Sequence, residues 1–513
     1  MSWCWRVALR TPLLAVLCVA CGAGGTEVPP GVVAADTRVV HVDLGVLVKP
    51  VRALAGLDGD PLFYPGEQRP DVAEMYRTRG VKHVRLSHGS RCRLTLDALF
   101  PHPNFGANDL GTPVFDQLDR AVRTLIEKGM VPVLGAMYDI GEGGCIAHKD
   151  LEAGKGISDP DLFAAAVVQV IKHLQKKGLT PPLVEFYPDP FGSGGFKVAG
   201  FSQYYNAWTR LNKAISEAFP VIPRAFRLVA PAIPVSGQAE LSDPSHPFNK
   251  FATSVAAAPH DAPDVFAITS VAALPEDHLA IVVGAASLLK DLGLTNSAVA
   301  DFGVRVRPDL WTLLGSVLPT REDRSAFLAA HLIATRILLQ GHVEVFSADR
   351  WGGPTGPDGV PEDLFLREDG SSLPALEAML AMYVIEAAGA IRVEAALEGG
   401  GASDGHGVAV MAARRDDEVF LLAAAADPGK VGSSLRVRFE VTGFPSALTE
   451  AKVLRNTLTA AAQAFVWQEA STVNLVDGKL LIERTIPVPS VLVIDVTPVV
   501  PSVSEDVRDG SQE

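Results

Sequence analysis

The sequence predicts an α/β protein in which a (β/α)8 TIM barrel is followed by a C-terminal all-β sandwich. Three observations carry this. Between about 51 and 390 one theme repeats eight times: a short apolar or β-branched run, a loop, then an amphipathic helix. Strands alternating with helices imply a parallel sheet, and eight repeats imply closure. From 391 the chain changes to short strand-like runs separated by turn residues, with no long helical stretch. No Gly-x-Gly-x-x-Gly follows the first strand-like run, which weighs against an open doubly wound sheet.

The barrel strands are expected at 51–57, 83–88, 131–138, 183–190, 226–232, 265–271, 297–303 and 343–349. Helices are expected at 71–79, 114–128, 161–177, 201–219, 246–257, 276–292, 321–340 and 373–388. Ser158-Asp159-Pro160 marks a helix start, because Asp caps free N–H groups and Pro fits the first turn. Lys176, Lys177 and Gly178 mark the end of the same helix. Trp208, Trp311 and Trp467 read as core. The sandwich strands are expected at 408–413, 418–425, 435–441, 451–455, 479–486 and 491–496, within a domain spanning 391–499. Residues 500–513 read as a polar, acidic, disordered tail.

The N-terminus reads as an export segment over 1–21. Arg6 and Arg10 precede the apolar run 13–20, which ends at Cys21 and small residues. The run is too short for an ordinary membrane span. Val19-Ala20-Cys21 looks like a bacterial lipobox with Cys21 as the lipidated residue, although Cys18 replaces the usual Leu. A plain secretory signal is the alternative. The expected location is therefore the cell envelope, lipid-anchored, or else the periplasm or exterior. Residues 22–36 read as a tether, and 37–50, β-rich over 37–48, come before the barrel. In an oxidising compartment Cys92 and Cys145, both in loops after barrel strands, form a candidate disulfide. A net charge of -14 argues against nucleic acid as a partner. No cysteine lies in a cluster of metal-ligand spacing, so neither metal nor cofactor is expected.

Barrel chemistry belongs at the C-terminal ends of the strands. Those ends carry Arg85 and His88, Asp139 and Glu142, Glu185 through Pro190, Asp301 with Phe302, and Asp349 with Trp351. Carboxylates at the ends of the fourth and seventh strands, Asp189 and Asp301, suit scission of a glycosidic bond. One protonates the leaving oxygen while the other attacks the sugar or directs water. Arg85, His88, Tyr187, Phe302, Asp349 and Trp351 are the candidate substrate contacts, with Phe191 a further ring for stacking. The plainer readings are that Asp189 is a turn residue between prolines and Asp301 a loop acid capping backbone. Glu185 lies about 13 Å deeper on its strand than Asp189 and reads as a buried partner of Arg85. Glu240, Asp243 and His246 share a polar stretch that reads as a solvated loop rather than a metal site.

These residues resemble glycoside hydrolase family 39, the β-xylosidase and α-L-iduronidase family of the clan-A barrels. The resemblance covers most of 37–497 and rests on five segments. They are Phe115 through Gly135; Val184-Glu185-Phe186-Tyr187-Pro188-Asp189-Pro190; Arg227-Leu228-Val229-Ala230-Pro231-Ala232; Asp369-Gly370 with Pro374-Ala375; and the close of the sandwich over 487–494. It implies a glycosidase barrel acting on carbohydrate. It also implies that the 37–50 strand joins the sandwich. The departures fall on the chemistry. The family's Asn before the acid/base is Pro188, its acid/base Glu is Asp189, and its nucleophile Glu is Asp301. The strand-six His and Tyr are Thr269 and Val271. Each Glu-to-Asp change withdraws a carboxyl by about 1.5 Å, enough for the pair to leave the separation of about 5–5.5 Å that retention requires. Three readings follow: a hydrolase using Asp189 and Asp301, a catalytically silent barrel that binds saccharide at the cell surface, and a structural surface lipoprotein with a blocked mouth.

Overall fold

The computed structural model describes residues 36–52, 54–58, 72–86, 94, 96–100, 110–136, 157, 159–187, 190–191, 196, 200–295, 298–348, 353–354, 362–367, 369–462 and 464–499. The expected leader, the expected tether up to residue 35 and the expected tail lie outside the described residues. So do Cys21, His88, Cys92, Asp139, Glu142, Cys145, Pro188, Asp189, Asp349 and Trp351, together with the Phe302 side chain.

A first strand, β1 (Asp36–Pro50), precedes the barrel. The barrel strands are β2 (Gly56–Asp58), β3 (His83–Leu86), β4 (Val131–Ala136), β5 (Leu183–Phe186), β6 (Arg227–Val235), β7 (Val265–Ala272), β8 (Ala298–Val306) and β9 (Phe346–Ala348). Each pairs in parallel with the next, and β2 closes on β9 through Leu57 and Ala348. The helices are α1 (Val72–Thr78), α2 (Leu96–Leu99), α3 (Asp116–Glu127), α4 (Pro160–Lys176), α5 (Gly200–Ala218), α6 (Gln238–Ser242), α7 (Pro247–Ala257), α8 (Pro275–Asp291), α9 (Pro308–Leu314), α10 (Arg321–Leu338), α11 (Pro374–Glu377) and α12 (Met379–Ala387). Local chemistry sets their ends, at α4 as the sequence predicts. Asp159 accepts from the N–H groups of Asp161 and Leu162 to cap α4, with Pro160 in the first turn. Thr320 and Asp323 form a reciprocal capping box on α10.

Strand alternation separates two cores. Val133, Leu183, Val229, Val265, Ala267, Ala300 and Val345 form a small inner cluster inside the barrel. The residues between them, among them Val84, Leu134, Val184, Phe186, Leu228, Phe266, Ile268, Val299 and Phe346, point outward into the layer shared with the helices. Both faces of a parallel barrel strand are therefore apolar, which is why these strands read as continuous hydrophobic runs.

The remaining strands are β10 (Ile391–Leu397), β11 (Val408–Arg415), β12 (Glu418–Ala425), β13 (Ser434–Thr442), β14 (Glu450–Leu458), β15 (Gln468–Asn474), β16 (Lys479–Pro487) and β17 (Ser490–Val499). With β1 they form one nine-stranded sheet in the order β15-β14-β17-β12-β11-β10-β1-β13-β16. The N-terminal strand lies antiparallel to β10 and parallel to β13. Val40, Val42, Val437, Phe439, Val453, Ile482, Ile494 and Val496 share one buried cluster, so the flanks of the sheet fold over a common interior. Helix α10, buried continuously from Ser325 to Leu338, packs on β11, β12 and β17 and joins the sheet to the barrel.

The structure differs from the sequence reading in several elements, β10 and the short helix α2 among them, neither of which was expected. The helix expected over 373–388 is two, α11 and α12, meeting at Ala378. Helix α9 follows β8 because Pro308 can start a helix after the extended Arg307. Helix α6 occupies part of the stretch read as a polar loop. Strand β15, a sheet edge with the mixed sequence QEASTVN, is exposed along most of its length and carries no clean alternation. Among the described residues no helix is long and apolar enough to cross a membrane.

Candidate functional site

The strand ends place two polar systems on opposite faces of the barrel wall. The first is inside. Arg85 on β3 and Glu185 on β5 occupy inward positions, and the guanidinium donates in fork fashion to both carboxylate oxygens, Nε to Oε2 at 2.6 Å and Nη2 to Oε1. Arg85 is 4% exposed and Glu185 fully buried. The pairing that the sequence suggests therefore forms, and it commits Glu185 to the floor beneath the mouth. A bidentate charge-assisted pair is among the stronger hydrogen-bonded arrangements and fixes both side chains.

The second system lies outside. Asp301 follows Ala300, which points inward, so its own carboxylate points outward with Val299 toward the helices. It is fully buried. Its Oδ1 accepts from the Ser270 N–H at 3.1 Å, and its Oδ2 accepts from the Ser270 hydroxyl. Ser270 Oγ in turn meets His278 Nδ1 of α8 at 2.6 Å, and His278 Nε2 meets His331 Nε2 of α10 at 2.9 Å. With Ser270 donating to Asp301, one continuous sense follows: His331 Nε2–H to His278, His278 Nδ1–H to Ser270, Ser270 to Asp301. Burial pushes the Asp301 carboxyl up to about 7, against the lowering effect of the Ser270 bonds. Burial also drives His278 well below the ordinary histidine value and His331 down to about 3, so both imidazoles are neutral at neutral pH.

This corrects the expectation that Asp301 faces the mouth. A residue's side of a strand is set by parity, and Asp301 shares parity with outward Val299. β7 and β8 also carry register shifts, between Ile268 and Val271 and between Phe302 and Val304 along the β8–β9 pairing. At the second of these, Gly303 has φ +114 and lies against Thr269, where an added Cβ would come within 3.1 Å of Thr269 Cγ2. Thr269 follows Ala267 on the inward face, and Ser347 likewise follows Val345, so the inner layer near the strand ends includes Arg85, Glu185, Thr269 and Ser347.

The aromatic expectations on the β5 loop are corrected as well. Tyr187 takes a left-handed backbone, φ +42, directly after β5, and its ring is 4% exposed. It packs at 5.0 Å on Phe196 and at 6.3 Å on Phe186. Phe191 joins the same cluster through Phe196 and Tyr204. These rings build the outer core, with Trp208, whose indole N–H donates to the Asp261 carbonyl. Glu240, Asp243 and His246 serve local structure. Glu240 accepts from the Ser236 N–H, Asp243 holds Ser245, and His246 Nδ1 caps α7 by accepting from Phe248. Among the described residues no three His, Cys, Asp or Glu side chains form a cluster suited to a metal.

Sequence reading missed Ser270, His278 and His331. A signal for one of them is present: His278 lies on the apolar stripe of α8 with Ile281, Val282, Ala285 and Leu289, where a polar residue needs a buried partner.

No protein-family model matches the chain, and no curated protein is found similar to it in sequence. Solved structures do match. A glucosidase from Croceicoccus marinus is 18% identical with a TM-score of 0.67, over 90% of this chain and 100% of that one. A glycoside hydrolase family 39 enzyme from Xanthomonas axonopodis pv. citri is 14% identical with a TM-score of 0.65, over 92% and 100%. A bacterial orthologue of human α-L-iduronidase is 14% identical with a TM-score of 0.59, over 91% and 84%. The fold is thus that of a family-39-like clan-A glycoside hydrolase.

Proposed function

We propose that the protein is a glycosidase-like barrel that binds saccharide without cleaving it by the paired-carboxylate route. One observation carries this reading: the Asp301 carboxylate, the strand-seven candidate for nucleophile or base, is buried on the outer face of the barrel and bonded to Ser270. A group in that position does not reach a sugar in the mouth, and a two-carboxylate mechanism needs both groups beside the scissile bond. The likeness to glycoside hydrolases along 90% or more of this chain supports carbohydrate as the ligand class.

Calorimetric titration of the full chain with xylo-oligosaccharides and uronate-containing oligosaccharides, beside a panel of aryl glycosides, tests it. The expected result is binding heat with no aryl release. Release that disappears in both Asp189→Asn and Asp301→Asn overturns it and supports the hydrolase reading, which rests on the carboxylate retained at position 189 and on the kind of protein the fold resembles. Absence of binding to every sugar favours the structural lipoprotein instead.

The same reading places the protein at the cell envelope, exported by its basic and apolar N-terminus and anchored through Cys21. Incorporation of labelled palmitate that vanishes in Cys21→Ala is the expected outcome. Equal labelling of that variant, or none of the parent, removes the anchor.

A further inference from the structure

Helix α10 carries a cation for which the described residues supply no counter-charge. Arg336 is fully buried, among the largest side chains enclosed in the molecule. Among the described residues no acceptor meets its Nε, Nη1 or Nη2. The guanidinium carbon lies 5.0 Å from the centroid of the Phe346 ring on β9. The residues one turn away on the same face, Leu332, Ile333 and Leu339, are apolar and buried. Gln340, the remaining one, is committed: its Oε1 accepts from the Arg52 N–H, and its Nε2 donates to the Arg52 and Arg336 carbonyls.

An enclosed guanidinium with none of its N–H groups bonded is strongly unfavourable, and one aromatic face recovers only part of the lost hydration. Loss of the proton does not resolve this near neutrality, because burial lowers Arg336 only to about 9. The charge remains, and among the described residues nothing neutralises it, so a compensating anion suits the site. A polyatomic, multiply charged anion is costly to dehydrate and bulky for a site with no solvent exposure. A singly charged monatomic anion is the cheapest to strip of water and can accept from several N–H groups at once.

We propose that Arg336 is the seat of a buried anion site that takes a small monovalent inorganic anion such as chloride, held between α10 and the Phe346 ring. The site lies where α10 joins barrel and sheet, so its occupancy stabilises the junction by preferential binding to the folded chain.

Two measurements on the full chain test it. Thermal unfolding is followed while chloride replaces gluconate at constant ionic strength. The expected result is a saturable rise in Tm, on the order of 2 °C per tenfold chloride above the dissociation constant, absent in Arg336→Met. Crystals grown with sodium bromide are then expected to show an anomalous peak within hydrogen-bonding distance of the guanidinium. A Tm indifferent to the anion, or bromide found only elsewhere on the molecule, overturns the proposal. Should Arg336→Met fail to fold, the bromide position in the unsubstituted protein decides.

Discussion

Replacing Asp301 with asparagine discriminates a buried structural carboxyl from a working one, through the pH dependence of stability. In the folded chain burial raises this carboxyl to about 7, whereas an unfolded Asp sits near 3.8. Between those values the folded chain holds a proton that the unfolded chain has released. Raising the pH across that window therefore favours unfolding, and the loss is complete above about 7. Each tenfold change in proton affinity is worth about 1.4 kcal/mol, so the whole window corresponds to about 4 kcal/mol. Asn is neutral at every pH and keeps an acceptor for the Ser270 N–H. The histidines titrate in both proteins and largely cancel in the difference. Thermal unfolding of both proteins from pH 4 to 8 provides the assay. The Asn variant is expected to gain several degrees on the parent as the pH rises to 7, then to run parallel with it. A difference in Tm that stays constant across the range refutes the burial argument, because a solvated carboxylate in an open mouth titrates at the same pH in both states.

Four other outcomes follow from the same contacts. Ser270→Ala removes both the donor to Asp301 Oδ2 and the partner of His278 Nδ1; denaturant unfolding is expected to show a loss of about 2–4 kcal/mol, and a loss under about 0.5 kcal/mol contradicts the chain of bonds. Glu185→Ala removes the buried carboxylate that accepts from the Arg85 guanidinium inside the barrel and is expected to cost about 3–5 kcal/mol, whereas the apolar pair Arg85→Met with Glu185→Leu costs less; equal losses argue that the charges are not coupled. Asp159→Ala removes the cap of α4 and is expected to cost about 1 kcal/mol in the same assay. His83, lowered to about 4, and His331, lowered to about 3, are neutral in the fold but take protons when unfolded, below about 6.5; stability is therefore expected to fall as the pH drops from 6.5 toward 4, and His83→Gln is expected to reduce that slope in a pH series of Tm.

The sequence by itself determined the architecture. Eight strand–helix repeats, the Asp159-Pro160 start, the glycine at 178 and the switch to short strands after 391 are local signals, and each is read within a few residues of where it acts. The Arg85–Glu185 pair was legible too, because two oppositely charged residues in the middle of apolar barrel strands have few alternatives to each other. Which side of the wall Asp301 faces was decided only in the tertiary structure. A parallel barrel strand is buried on both faces, so its hydrophobicity does not reveal parity. The partners of Asp301 come from β7, α8 and α10, elements that meet only when the barrel closes. The isolation of Arg336 is of the same kind: the sequence shows a basic residue in a helix, and only the packing of barrel against sheet encloses it.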